Sequence, residues 1–74
     1  MTKFGPGDEV LVTRSAKPGE RTTWRGVILA GDSEEGFSLR GVCLTTGNAE
    51  HSWFSGAEVL KRTYGCIQTV TRAE

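Results

Sequence analysis

The sequence predicts an all-β fold: five short strands curled into one small barrel, with a helical turn before the last strand. Three observations predict it. Gly and Pro, ten and two of the 74 residues, punctuate the chain at short and regular intervals, the pattern of short strands joined by turns. Several of the segments between them alternate apolar and polar side chains, so that apolar residues gather on one face of an extended chain. No long stretch carries apolar residues at i, i+3, i+4 and i+7, as an amphipathic helix requires.

Taken in order, Phe4-Gly5-Pro6-Gly7-Asp8 is a turn, since Gly reaches φ values closed to other residues and Pro presets φ at about −65°. The first strand follows over 9–14, with Val10 and Val12 on one face and Leu11 on the other. Residues 15–22 are polar, contain Pro18-Gly19 and are expected to form a long loop. The second strand covers 23–30. Trp24, Gly26, Ile28 and Ala30 share one face, and Arg25, Val27 and Leu29 the other. Apolar residues on both faces make it a central strand, or one that meets a partner. Residues 31–36 form an acidic turn with Asp32, Glu34 and Glu35.

The third strand is expected over 37–45. Gly41 inside it marks a bulge or bend that lets the sheet curl. Thr46-Gly47-Asn48 signals a hairpin, and the fourth strand runs over 49–54. Residues 55–58 read as one helical turn and 59–62 as the fifth strand. Residues 66–71 are strand-like again and have no place among those five. The chain therefore divides into a barrel at 1–64 and a C-terminal extension at 65–74, available as an extra edge strand or for pairing with a second subunit. Five strands, a long first loop and a helical turn before the last strand match a Src-homology-3-like barrel, in which closure removes the exposed edges. The alternative, an oligonucleotide-binding-type barrel, wants a longer chain and a helix between strands three and four.

Seventy-four residues make one domain. A chain of this length buries only about 60–65 % of its unfolded surface and is marginally stable alone. Nine basic and nine acidic residues give a formal net charge of zero, whereas non-specific nucleic-acid binding usually needs a positive excess. No apolar run approaches the roughly 18 residues of a membrane span. Met1-Thr2-Lys3-Phe4-Gly5 lacks the apolar core of a signal peptide, so a soluble, cytoplasmic protein is expected. Cys43 and Cys66 are not in a Cys-x-x-Cys pair, and His51 is the single histidine. No metal site and no cofactor is expected from so few ligands, and both thiols are expected to be reduced.

The candidate functional residues are aromatic and basic. Trp53 and Phe54 are neighbours on one strand and point to opposite faces. One fills the core; the other reaches solvent, a ligand or a second subunit. Trp24 begins the second strand at the mouth of the long loop, where aromatics of such barrels line peptide grooves or cation cages. Arg14, Lys17, Arg21 and Arg25, offset by Glu20, form a cluster able to contact phosphate or a nucleic-acid backbone. His51 lies among polar residues and completes the candidate set of Trp24, Trp53, Phe54, Arg25 and His51. Ser52 and Glu50 flank it in sequence and so point to the opposite face. No catalytic triad is readable.

Four stretches together resemble the plasmid-borne type II, trimethoprim-resistant dihydrofolate reductases. Phe4-Gly5-Pro6-Gly7-Asp8-Glu9-Val10 is like that family's Phe-Gly-x-Gly-Asp-x-Val opening. Trp24-Arg25-Gly26-Val27-Ile28 is like its Trp-x-Gly-x-Ile strand, and Glu35-Gly36-Phe37-Ser38-Leu39 like its Glu-Gly-Tyr-x-Val strand. Ala57-Glu58-Val59-Leu60-Lys61-Arg62 is like its closing segment. The resemblance covers about residues 4–62. It implies a Src-homology-3-like barrel assembled as a homotetramer around a pore, with NADPH-dependent reduction of dihydrofolate. The family's pore motif is Val-Gln-Ile-Tyr; here His51-Ser52-Trp53-Phe54 stands in its place, with Ser52 for the Gln and Phe54 for the Tyr. The family's pore-side Lys falls near Val12.

With the polar groups of that motif replaced and aromatics in surplus, the sequence points to a non-catalytic binding or assembly module, forming a homo-oligomer. A divergent type II reductase and a nucleic-acid contact through the basic first loop are the alternatives.

Overall fold

The computed structural model describes residues 3–17 and 19–73. Its elements are β1 (Glu9–Lys17), β2 (Glu20–Asp32), β3 (Gly36–Cys43), β4 (Ala49–Ser55), α1 (Ala57–Tyr64) and β5 (Ile67–Arg72). The strands form one antiparallel sheet in the order β4-β3-β2-β1-β5. The all-β, five-stranded expectation therefore holds, with one short helix before the last strand. Among the described residues, no helix is long and apolar enough to cross a membrane.

Three expectations are corrected, two of them about which residues form which element. Residues 15–22 are not a long loop. β1 and β2 run on past Arg14↔Thr22 to the pair Lys17↔Glu20, with a register shift between. Thr13 and Thr23 bring their hydroxyls to 3.5 Å, and the Ser15 hydroxyl donates to the Glu20 carbonyl at 3.1 Å; such cross-strand contacts carry a ladder into polar sequence.

Residues 59–62 are not a strand either: they belong to α1. Glu58 sits in its first turn and Lys61 and Arg62 in its last, the placement that complements the helix dipole. Gly65 closes the helix at φ 68°. Its N–H reaches the Lys61 carbonyl at 3.2 Å, and the Cys66 N–H reaches that of Leu60 at 3.3 Å, a termination that favours Gly. The stretch 66–71 then supplies the fifth strand. It takes a sheet edge by pairing with β1, from Val10↔Arg72 to Ser15↔Ile67.

The core explains the curl. Val10 and Val12 of β1, Trp24 and Ile28 of β2, Phe37, Leu39 and Cys43 of β3, and Phe54 of β4 form one buried cluster with Phe4, and Val70 of β5 packs against it. These are the inward positions of all five strands. A flat single sheet leaves that face wet, so it buries them by curling back over itself. Phe37 and Phe54 stack at 5.5 Å, and Trp24 meets Phe54 edge-on at 4.9 Å, both favoured ring geometries. Phe4 closes one end. Its N–H donates to the Ser33 hydroxyl and its carbonyl accepts from the Ser33 N–H, at 3.1 and 3.0 Å. The register shift expected near Gly41 falls instead between Ile28 and Ala30 on β2. Gly41 lies directly opposite Gly26, where the two backbones approach too closely for a Cβ.

Candidate functional site

Because side chains alternate along a strand, burying one face of β2, β3 and β4 leaves the other outside. Val27 is opposite Arg40, Arg40 opposite His51, Val42 opposite Ala49, and Ser38 opposite Trp53. On this outer face Val27 is 37 % exposed, Leu29 45 %, Val42 41 % and Trp53 63 %. An open depression of about 640 Å³ lies here, lined among others by Val27, Leu29, Arg40, Val42, Ala49 and His51. Trp53 stands beside it, seated on Gly36: a Cβ at Gly36, whose φ is 154°, would come within 2.5 Å of Trp53 Cζ2. Glycine there lets the indole lie against the start of β3.

Of the two neighbouring aromatics, Phe54 fills the core at 3 % exposure and Trp53 is the outward one. Trp24 belongs to the core as well, at 9 %. Its indole N–H donates to Glu50 Oε2 at 3.2 Å, and the Ser52 hydroxyl donates to Glu50 Oε1 at 3.4 Å. His51 lies exposed on the outer face, across from Arg40.

Arg14 and Arg25 do not gather. Alternation along β1 and β2 puts Arg14 on the face of Val10 and Val12 and Arg25 on the opposite one, with Val27. Arg14 turns into the seam between β4 and β5, where Nε and Nη2 both donate to Gln68 Oε1, at 3.1 and 2.8 Å. Its guanidinium lies over the Trp24 and Phe54 rings, at 5.4 and 5.3 Å from their centroids. Gln68 is buried and donates from Nε2 to the Ser55 carbonyl at 2.9 Å. Burial lowers the Arg14 pKa, and the negative charge of the Glu50 carboxylate opposes that shift. Arg25 pairs with Glu9 at 3.1 Å on the exposed side. Arg21 is exposed at the β1–β2 hairpin, and the Lys17 side chain lies outside the described residues.

Of the positions that the reductase resemblance places in a pore, Val12 and Phe54 are buried and Ser52 is half-buried. Among the described residues, no group of three or more His, Cys, Asp and Glu gathers to hold a metal ion. Cys43 is buried beside Thr46, whose side-chain hydrogen bond holds the thiol below its usual pKa while burial pushes the other way.

Sequence reasoning had marked Val27 and Leu29 as lacking cover. It missed Val42 and Arg40, which the same alternation carried across to β3 would have placed beside them. Gln68 and the Trp24–Glu50 contact gave no local signal, because the partners are distant in sequence. No family model, curated protein or solved structure significantly matches the chain.

Proposed function

We propose that this chain is a non-catalytic binding and assembly module. Its contact surface is the outer face of β2–β4 and its first partner is a second copy of itself. The observation that carries the reading is the gathering of Val27, Leu29, Val42 and Trp53, all partly exposed, on one face of the sheet. Contiguous exposed apolar surface rimmed by polar groups is the usual mark of an interaction site. Trp and Arg, both on this face, are the residue types that most often dominate interface energetics. A formal net charge of zero adds no self-repulsion between copies. The added burial offsets the modest core of a 74-residue chain. The fold is read as a Src-homology-3-like barrel, from its strand count, its curl and the helix before its last strand. The resemblance to the type II reductases, which assemble as homotetramers, points the same way about assembly.

Light scattering after size exclusion tests the reading. The parent is expected above monomer mass at high concentration, and Leu29→Ser combined with Val42→Ser is expected to lower it toward monomer with the circular dichroism spectrum unchanged. A parent that is monomeric throughout, or a folded variant of unchanged mass, overturns it.

A further inference from the structure

We propose that the Trp24 and Phe54 rings, with the side-chain oxygen of Gln68, form a guanidinium-binding niche at the seam of the two edge strands. Arg14 fills it from within the chain, and the arginine side chain of a partner is the ligand that takes its place. This inference is independent of the outer face.

The geometry is that of a built cation site. Two rings meet at an interplanar angle of 85°, and the Arg14 guanidinium lies within 5.4 Å of both centroids. That is inside the roughly 6 Å over which a ring face attracts a cation. Gln68 Oε1 accepts both Nε–H and Nη2–H.

None of these groups depends on Arg14 for its position. The rings are fixed by the core. The Trp24 indole N–H is tied to Glu50, which the Ser52 hydroxyl also holds. Gln68, 6 % exposed, is anchored to the Ser55 carbonyl through its amide nitrogen, which leaves its oxygen turned toward the guanidinium. Removing the Arg14 side chain therefore leaves a preorganised site rather than a collapsed one.

The chemistry favours a guanidinium over an ammonium. A planar, weakly hydrated cation stacks on ring faces while two of its N–H groups share one acceptor; a compact, strongly hydrated ammonium gains less. Arg14 is half-exposed, so the niche opens to solvent where that side chain enters. Arg14 competes at the effective concentration of a tethered group, on the order of millimolar. The parent accordingly binds a free guanidinium much more weakly than a chain lacking Arg14.

The test is a titration of Arg14→Ala with methylguanidinium, a truncated arginine side chain, followed by the Trp24 indole N–H resonance. Saturable binding is expected, at least tenfold tighter than in the parent. It is expected to be absent with methylammonium at equal ionic strength, and weakened at least tenfold by adding Gln68→Leu, which removes the acceptor of both N–H groups. No saturable shift, or an equal response to methylammonium, overturns the proposal. If Arg14→Ala does not fold in buffer, recovery of its circular dichroism spectrum by methylguanidinium but not methylammonium supports the proposal, and failure to recover overturns it.

Discussion

Gly41→Ala tests the close approach of β2 and β3. Gly26 and Gly41 face each other across the ladder. A Cβ on Gly41 would lie 2.5 Å from the Gly26 Cα and press on the Arg25 carbonyl oxygen. Both obstacles are backbone, so neither rotates away as a side chain would. The strands must part, and parting them loosens the packing of Leu39 and Cys43 against Ile28 and Trp24 on the same face. Overpacking costs about 1–3 kcal/mol, and with backbone on both sides the upper figure applies. A chain of 74 residues has a total stability of about 4–11 kcal/mol at the usual per-residue value. At about 4–8 °C per kcal/mol for a domain this size, the melting temperature should fall by roughly 12–24 °C. Thermal and urea unfolding followed by circular dichroism measure both quantities. The control is Gly47→Ala, where an added Cβ meets nothing within 4 Å but φ is 82°, at a strain of about 1 kcal/mol. The reasoning is refuted if Gly41→Ala loses no more stability than Gly47→Ala.

Gln68→Leu removes the acceptor of two Arg14 N–H groups and the donor to the Ser55 carbonyl. It leaves a partly buried charge short of an acceptor and should cost about 1–3 kcal/mol in urea unfolding; a cost under about 0.5 kcal/mol would mean the seam is not held by this side chain. Asp32 accepts hydrogen bonds from the backbone N–H groups of Glu35 and Glu34, and these lower its pKa in the folded chain. A depressed folded pKa stabilises above the unfolded value of about 3.9 and is lost as pH falls through the folded one. The urea midpoint of Asp32→Asn should therefore fall less steeply than the parent's below about pH 4; parallel curves would show that this carboxylate contributes nothing.

Much of the fold was legible because it is written in local alternation and turn chemistry. Val10 and Val12, Trp24 and Ile28, and the opposed Trp53 and Phe54 all follow from period two. The first loop was misread because Thr, Ser and charged residues extend a hairpin through cross-strand contacts as readily as they form a loop, and Pro18-Gly19 marks only its tip. Val59-Leu60-Lys61-Arg62 was misread because a four-residue apolar–basic run fits a strand as well as a helix. The Gly65 cap and the burial of Leu60 decide it, and the second is a tertiary fact. At the candidate site, Val27 and Leu29 were readable as an uncovered face. Trp24 was ambiguous, since an aromatic at a strand start serves a core or a groove equally. The opposite faces of Arg14 and Arg25 were readable from the same alternation, whereas the partnership of Arg14 with Gln68 was not, because it joins residues 54 positions apart.

The most direct test of the outer face as a self-association surface is a dilution series of ¹H–¹⁵N spectra on the parent chain. On dilution, the amides of Val27, Leu29, Arg40, Val42 and His51 and the indole N–H of Trp53 should shift together along one binding curve, while those of the buried Val12 and Ile28 stay fixed. Spectra unchanged with concentration, or shifts confined to β5 and α1, would contradict assembly through this face.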